Sequence, residues 1–104
     1  MTKQYRARQF QKGNRDVNEK QITPVLQAAG VMYRLLPPGF GADILLVTKP
    51  MAFVEVKSGD GAKLTETEKI MRWHCEEHGI DYYVIRTPEE AAAMLNRMAE
   101  RTAE

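Results

Sequence analysis

The sequence predicts a single α/β domain in which helices cover a mixed sheet. Segments with helical spacing and short apolar runs alternate in the order helix, strand, strand, strand, helix, strand, helix (α-β-β-β-α-β-α). A helix that crosses between the third and fourth strands implies that those two strands are parallel. The 104 residues are enough for one modest core, so we expect one domain.

The chain begins with a basic segment and continues into the first helix. Residues 1–15 are polar and aperiodic, so we expect a flexible arm there and a single domain over residues 16–104. Asn18 is expected to cap the first helix, whose apolar stripe follows at helical spacing. Pro24 is expected either to kink this helix or to mark a restart, and Gly30 suits its C-terminal end.

The remaining elements have clear boundaries. Residues 31–36 read as a strand that a Pro-Pro-Gly sequence ends. Thr65 and Glu68 form the capping-box pattern that opens the second helix. Residues 81–86 form the last strand, and residues 87–90, Thr-Pro-Glu-Glu, are typical of a helix start.

A hairpin over residues 43–57 lies at the centre of the chain. Pro50 disfavours the tight two-residue turns, which prefer Gly or Asn. A three-residue loop is therefore expected, and its register places Asp43 opposite Glu55. Because side chains alternate along a strand, Glu55 and Lys57 share one face and the intervening valine points to the other.

Asp43, Glu55 and Lys57 interrupt an otherwise apolar hairpin. Burying an unpaired charge is costly, so these residues either lie at a solvated rim or share a partner. Two adjacent carboxylates stay ionised most readily when a cation lies between them. Carboxylate oxygens and water suit Mg²⁺ or Mn²⁺, and a metal-bound water beside a lysine can attack a phosphodiester.

Two further patterns have simpler interpretations. His74-Cys75-Glu76-Glu77-His78 fits the H-x-x-E-H pattern of some zinc peptidases, but Gly79 ends the helix at once and no third ligand follows. Solvent-facing helix residues are the preferred interpretation. Trp73 has helical spacing with Ile70, which favours core packing over stacking on bases.

Composition sets limits on location. No apolar run approaches the length of a membrane span, and the N-terminus lacks the apolar core of a signal peptide. The single cysteine, Cys75, excludes an internal disulfide, which fits a reducing cytosol. We therefore expect a cytoplasmic protein without membrane partners.

The motifs together resemble the PD-(D/E)XK nuclease superfamily, and most closely its virus-type replication-repair branch, the VRR-NUC domain. Gly41-Ala42-Asp43 and Glu55-Val56-Lys57 match the family's metal-binding aspartate and its Glu-x-Lys signature, although the proline that often precedes the aspartate is Ala42 here. Glu19 matches a leading acidic residue in the first helix. Glu68 stands where the family usually has glutamine. The resemblance covers most of the chain, from Glu19 onwards.

The resemblance implies a restriction-endonuclease-like fold and divalent-metal-dependent cleavage of DNA. Asp43 and Glu55 would bind Mg²⁺ or Mn²⁺ with the Val56 carbonyl, and Glu19 would contact the metal directly or through water. Lys57 would orient the attacking water or help to deprotonate it. Glu68 would position Lys57 or a metal ligand, so Asp43, Glu55, Lys57 and Glu68 are the expected catalytic residues.

The resemblance also implies a partner. Short members of the family look like homodimeric resolvases of four-way DNA junctions, so branched DNA is the expected substrate, with no small-molecule substrate, in a bacterial or phage-infected cell. Basic residues that would hold the DNA backbone without reading sequence are Arg6, Arg8, Lys12, Arg15, Lys63, Lys69 and Arg72. For the N-terminal residues, a solvated tail is the alternative.

Two other functions stay open. One is a catalytically silent DNA-binding module on the same fold, because glutamate in place of glutamine at position 68 would weaken activity. The other is a structural or interaction domain with ordinary charges at its rim.

Overall fold

A computed structural model describes residues 12–58 and 63–103. These ranges contain three helices and four strands in the predicted order. The helices are α1 (Lys12–Ala28), α2 (Glu66–Glu77) and α3 (Pro88–Ala103), and the strands are β1 (Tyr33–Leu35), β2 (Ile44–Leu46), β3 (Ala52–Val56) and β4 (Asp81–Ile85). No helix in the described ranges is long and apolar enough to cross a membrane.

The four strands form one mixed sheet in the spatial order β1-β2-β3-β4. β1 with β2 and β2 with β3 are antiparallel pairs, whereas β3 and β4 are parallel. The predicted parallel pairing across the crossover helix is confirmed. The sheet is therefore mixed. A tight hairpin cannot join parallel neighbours, so α2 provides the longer connection between β3 and β4.

The register of the central hairpin is also confirmed. Ile44 lies opposite Val54 and Leu46 opposite Ala52, with a three-residue loop over 48–50. A slip of one residue would turn every side chain of β3 to the other face. In the observed register Val54 is buried in the main core, so its neighbour Glu55 points to the opposite face.

The main core lies between one face of the sheet and the pair of helices α1 and α3, which pack against each other. α2 covers the opposite face and contacts β4. The fully enclosed core side chains come from the sheet and from both helices: Ile22, Leu26, Ile44, Leu46, Ala52, Val54, Ile85, Ala91 and Met94.

Two helix boundaries test the predicted capping signals. Thr65 Oγ1 accepts the N–H of Glu68 at 3.2 Å, and Glu68 Oε1 accepts the N–H of Thr65 at 2.8 Å, so the capping box that opens α2 is confirmed. Thr87 Oγ1 accepts the N–H of Glu90 at 3.1 Å, and Pro88 is the first residue of α3, as predicted.

The start of α1 differs from the prediction. The helix begins at Lys12, so Asn18 lies within it and is not its cap. It also continues through Pro24 without a restart. The polar residues before the apolar stripe give no periodic signal from which a helix start can be read. The predicted arm therefore overlaps α1 over residues 12–15, and the rest of it lies outside the described residues.

The predicted core position of Trp73 is wrong. Trp73 is 55% exposed and Ile70 is 54% exposed, and the Trp73 ring contacts only the neighbouring His74 ring edge-on among the described aromatic pairs. The inward face of α2 instead carries Glu68, the half-buried Met71 and the buried Cys75. A polar residue thus occupies part of the face that the prediction gave to apolar side chains.

Gly41 allows α2 to approach the sheet closely. Its φ angle is 104°, a region that L-residues rarely adopt. A Cβ atom at this position would lie 2.8 Å from Met71 Cβ on α2. Gly39 has a similar φ of 84°, but a Cβ there would meet nothing within 4 Å.

Replacing Gly41 by alanine is therefore expected to destabilise the fold more than the same change at Gly39. Both variants incur backbone strain of about 1 kcal/mol. Gly41→Ala adds an overpacking cost of about 1–3 kcal/mol, because Met71 Cβ cannot move without α2. Urea unfolding of the two variants measures the difference. Equal losses of stability would contradict this account of α2 packing.

Candidate active site

Asp43 lies just before β2, where the antiparallel ladder ends. Its N–H donates to the Val54 carbonyl at 2.9 Å, and its Oδ2 accepts the N–H of Val56 at 2.8 Å. These contacts hold Asp43 to the residues on both sides of Glu55. The predicted proximity of Asp43 and Glu55 thus has a local cause. The Asp43 carboxylate accepts the Val56 N–H, a bond that the backbone of a longer β2 would otherwise make.

Glu55 is a buried carboxyl group on the second face of the sheet. It is only 4% exposed, although β3 places its side chain away from the main core. The interpretation of this hairpin as a solvated rim of ordinary charges does not fit that burial. The carboxyl group lies under the first turn of α2, among other charged groups.

Lys57 joins the two parts of the site. Its Nζ lies 3.4 Å from Glu55 Oε2 and 2.7 Å from Glu68 Oε1. Its backbone N–H donates to the Ile85 carbonyl at 2.9 Å, which extends the β3–β4 pairing and fixes the residue next to the sheet. A mostly buried lysine with two carboxylate partners is held in one orientation rather than moving in solvent.

Glu68 has two structural roles. One oxygen, Oε1, accepts both the Thr65 N–H of the capping box and the Lys57 ammonium. Glu68, which completes the capping box of α2, is therefore also the residue that holds Lys57. This agrees with its predicted place at the edge of the site, positioning Lys57.

Three of the predicted residues open onto one cleft. A cavity of about 330 Å³ is lined by Asp43, Glu55 and Glu68. Its other walls are the turn before Asp43 and the start of α2, formed by Pro37, Pro38, Gly39, Gly41, Ala42, Thr65 and Thr67. A small hydrated ligand or one phosphate group has room beside the carboxyl groups.

The surroundings of Glu55 favour its neutral form. Burial, the nearby Asp43 charge and a hydrogen bond with Glu68 raise the pKa of Glu55 to about 9, and the Lys57 ammonium offsets this only in part. Without a cation in the cleft, Glu55 therefore holds a proton at neutral pH.

The surroundings of Lys57 and Glu68 instead favour their charged forms. Burial opposes the charge on each, but their mutual contact outweighs it. The Glu68 and Glu55 carboxyl groups raise the pKa of Lys57, and the hydrogen bonds from Lys57 and from the Thr65 N–H lower the pKa of Glu68. The two residues form a stable ion pair at neutral pH.

Tyr82 adjoins the site, although the sequence did not predict it to be an active-site residue. Its hydroxyl donates to the Gly41 carbonyl at 2.6 Å. Burial, followed by the charges of Glu55, Glu68 and Asp43, raises its pKa. Tyr82 thus holds the turn that carries Asp43 against β4. Alternation along β4 would have indicated its face, but the β3–β4 register was not available from the sequence.

Glu19 is buried on α1, on the helix face that carries Ile22 and Leu26. It is not among the residues that line the cleft. Over residues 12–58 and 63–103, no three His, Cys, Asp or Glu side chains converge closely enough to form a cation site by themselves. Metal contact by Glu19 and by the Val56 carbonyl stays a prediction, and what Val56 contributes in the structure is its N–H to Asp43.

The donor set fits a divalent cation. With every group ionised, the carboxylates of Asp43, Glu55 and Glu68 and the ammonium of Lys57 sum to a charge of −2 around one cleft. Mg²⁺ and Mn²⁺ favour carboxylate oxygens supplemented by backbone carbonyls and water. A charge of +2 between Asp43 and Glu55 would neutralise this cluster and remove the cause of the raised Glu55 pKa.

The predicted DNA-binding residues fall into two groups. Arg6 and Arg8 lie outside the described residues, and only the helical backbone is described for Lys12 and Arg15. The second group is exposed and lines another cleft: Lys63, Lys69 and Arg72.

The zinc-peptidase pattern does not form a site. His74 and His78 are exposed, and His78 Nδ1 lies 3.1 Å from the His74 carbonyl oxygen. Cys75 is buried, and the remaining residues of the pattern are exposed. The preferred interpretation, an ordinary solvent-facing helix surface, is confirmed except for Cys75.

Comparison with known protein families, with curated proteins and with solved structures finds no match for this chain. The family resemblance therefore rests on the motifs and the element order, and the chemical interpretation rests on the geometry of the cleft.

The raised Glu55 pKa predicts a pH-dependent stability in EDTA. The folded protein retains a proton that the unfolded chain releases near the ordinary carboxyl pKa, so the free energy of unfolding falls as pH rises between the two values. From about pH 5.5 to 7.5 the slope attributable to Glu55 is at most about 1.4 kcal/mol per pH unit. Glu55→Gln, which stays neutral, removes this slope.

Denaturant unfolding at several pH values measures this effect. The matched control is Glu77→Gln. Glu77 is an exposed residue of α2, so this variant is expected to retain the wild-type slope. Parallel pH profiles for wild type and Glu55→Gln would show that Glu55 is not protonated in the folded protein.

Proposed function

We propose that this protein is a divalent-metal-dependent endonuclease that hydrolyses phosphodiester bonds in branched DNA. One observation carries the proposal. Glu55 is buried beside Asp43 and Lys57 in a cleft that gathers excess negative charge. Such burial is costly for a merely structural group and useful for a site that recruits a cation.

Each residue of the cleft has a role that follows from its contacts. Asp43 and Glu55 would hold the metal, and the Val56 N–H keeps the Asp43 carboxylate in place. When bound, Mg²⁺ or Mn²⁺ supplies a Lewis acid for the phosphate and lowers the pKa of water. Lys57 presents its ammonium next to Glu55, where it can orient the water or donate to a phosphate oxygen. Glu68 orients Lys57.

We also propose that the domain has the restriction-endonuclease-like fold of the VRR-NUC branch. The element order, the mixed sheet and the position of the Glu-x-Lys signature on its third strand support this assignment. The placement of Glu68 at the start of the crossover helix, in contact with Lys57, supports it further.

A second function has its own observation. Lys57 Nζ is held by Glu68 at 2.7 Å, at the position where the family usually has a neutral glutamine. If this ion pair keeps Lys57 from substrate, the protein would bind DNA without cutting it. Glu68→Gln separates the two functions, because it removes the charge and keeps an oxygen to accept the Thr65 N–H.

Cleavage of labelled four-way junctions, flaps and linear duplexes tests the proposal. We expect cutting with Mn²⁺ or Mg²⁺, none in EDTA, and a loss of about 10²-fold or more in rate for Glu55→Ala and for Lys57→Ala. The matched controls are the exposed changes Glu77→Ala and Lys20→Ala, which are expected to cut like wild type.

Three other outcomes are informative. Cutting of flaps in place of junctions would keep the active site and change the substrate. An inactive wild type with an active Glu68→Gln variant would establish the binding module whose lysine is restrained. If neither wild type nor Glu68→Gln cuts with Mg²⁺ or Mn²⁺, although both are folded, the nuclease is ruled out.

A homodimer is part of the proposal, because two symmetric cuts in a junction require two active sites. Met94 and Met98 are buried within the chain, whereas Met32 and Met51 are about half exposed, so these two are the described methionines that a dimer interface could use. Val47, whose N–H donates to the Met32 carbonyl, lies between them in the sheet, and all three side chains are exposed.

Light scattering after gel filtration is expected to give twice the mass of the chain. Met51→Lys is expected to shift the protein to the monomer, since a buried unpaired charge disfavours the interface. Trp73→Lys, on the exposed surface of α2, is expected to stay dimeric. A monomeric wild type would remove the dimer from the proposal, and a monomer caused only by Trp73→Lys would place the interface on α2.

A further inference from the structure

A second cleft with basic walls lies on the other side of α2. Its volume is about 570 Å³, and four cationic residues surround two apolar ones. Lys63, Lys69, Arg72 and Arg86 line it around Leu64 and Val84, and we call it the basic cleft. Arg86 was not among the predicted DNA-binding residues.

The secondary structure brings these cations together. Lys69 and Arg72 are three residues apart on α2, so they lie on one side of that helix. Arg86 follows the end of β4, and Lys63 precedes α2. The four charges therefore come from three separate segments of the chain, which converge where β4 ends beneath α2.

The basic cleft is adjacent to the active site through the sheet. Val84, in its floor, is the direct β4 partner of Glu55, so their backbones are about 5 Å apart. Lys57 and Arg86 follow this pair by two residues on each strand and share its face. The two clefts therefore open on the same face of the sheet.

The start of α2 separates the two clefts. Thr65 and Glu68 line the acidic one, whereas Leu64 and Lys69 line the basic one. A ligand that reaches both must pass over the first turn of this helix. Sequence neighbours at this helix start therefore line different clefts.

The ion pair between Arg72 of the basic cleft and Glu76 is weak enough to exchange. Arg72 Nε contacts Glu76 Oε2 at 3.2 Å, with both side chains more than half exposed. Exposed pairs of this kind contribute at most about 1 kcal/mol. A phosphate group could therefore replace Glu76 as the partner of the Arg72 guanidinium at little cost.

We propose that the basic cleft binds the DNA backbone next to the phosphate that is cut, with Lys69, Arg72 and Arg86 as phosphate contacts. This proposal rests on the proposed nuclease function for the position of the cut. Four cations spread over three segments suit several phosphates of one strand rather than a single small anion. The apolar floor of Leu64 and Val84 suits the sugars between those phosphates.

The test compares two triple variants with identical net charge. Lys69→Gln/Arg72→Gln/Arg86→Gln removes three positive charges from the basic cleft. The control, Lys20→Gln/Lys49→Gln/Arg97→Gln, removes three from exposed positions on α1, the hairpin loop and α3. Binding to a fluorescein-labelled junction and to a linear duplex is followed by anisotropy in EDTA, at several salt concentrations.

The cleft variant is expected to bind at least tenfold more weakly than wild type. Its plot of log Kd against log salt is expected to lose a slope of about 0.9 for each phosphate contact removed, or about 2.7 in total. The control is expected to keep the wild-type slope, because its charges do not touch DNA. Equal Kd values and slopes for the two triple variants would overturn the proposal, as would the absence of DNA binding by wild type.

A single change keeps the test valid if the triple variant does not fold. Lys69→Gln alters one exposed side chain and is expected to reduce the slope by about 0.9, and an unchanged slope would overturn the proposal.

The same proteins separate this inference from the proposed function. Cleft-dependent binding without cutting in Mn²⁺ or Mg²⁺ would retain the basic cleft and reject the nuclease. Cutting by wild type, together with equal binding by the two triple variants, would retain the nuclease and reject the basic cleft.

Discussion

The rest of the site depends on the hydrogen-bonded cluster that Glu55 forms with Lys57 and Glu68. The alternation of β3 commits Val54 to the main core and therefore commits Glu55 to the other face. A carboxyl group in that position needs partners or a proton once α2 covers it. Lys57 and Glu68 provide partners, and the raised pKa indicates that the proton is also retained.

α2 can cover this face only because two local features agree. Gly41 has no Cβ at the point where Met71 approaches, so the helix can lie close to the turn that carries Asp43. The capping box starts the helix at a position from which Glu68 reaches Lys57. The helix start and the orientation of Lys57 therefore both depend on the Glu68 side chain.

The sequence predicted those features that depend on neighbouring residues. It predicted less well those that depend on packing between distant segments. Pro50 restricted the turn and thereby set the hairpin register, which brought Asp43 to Glu55. The β3–β4 register is set across the whole crossover by the packing of α2, so neither Tyr82 nor Arg86 could be placed from sequence. Trp73 was misplaced because helical spacing alone does not say which face of α2 is turned inward. The inward face carries Glu68, so it is less apolar than the face that carries Trp73.

The arrangement of α2 explains why acidic and basic clefts can exist side by side. Glu68 lines the acidic cleft and the adjacent Lys69 lines the basic cleft, so the start of α2 lies between the proposed cation site and the proposed phosphate site. A single pocket with both charge types would neutralise itself by internal ion pairs, as Lys57 and Glu68 already do. Separation across the helix keeps the two charge clusters apart, and the proposed ligand, a polyanion with a bound cation, has charges that match that separation.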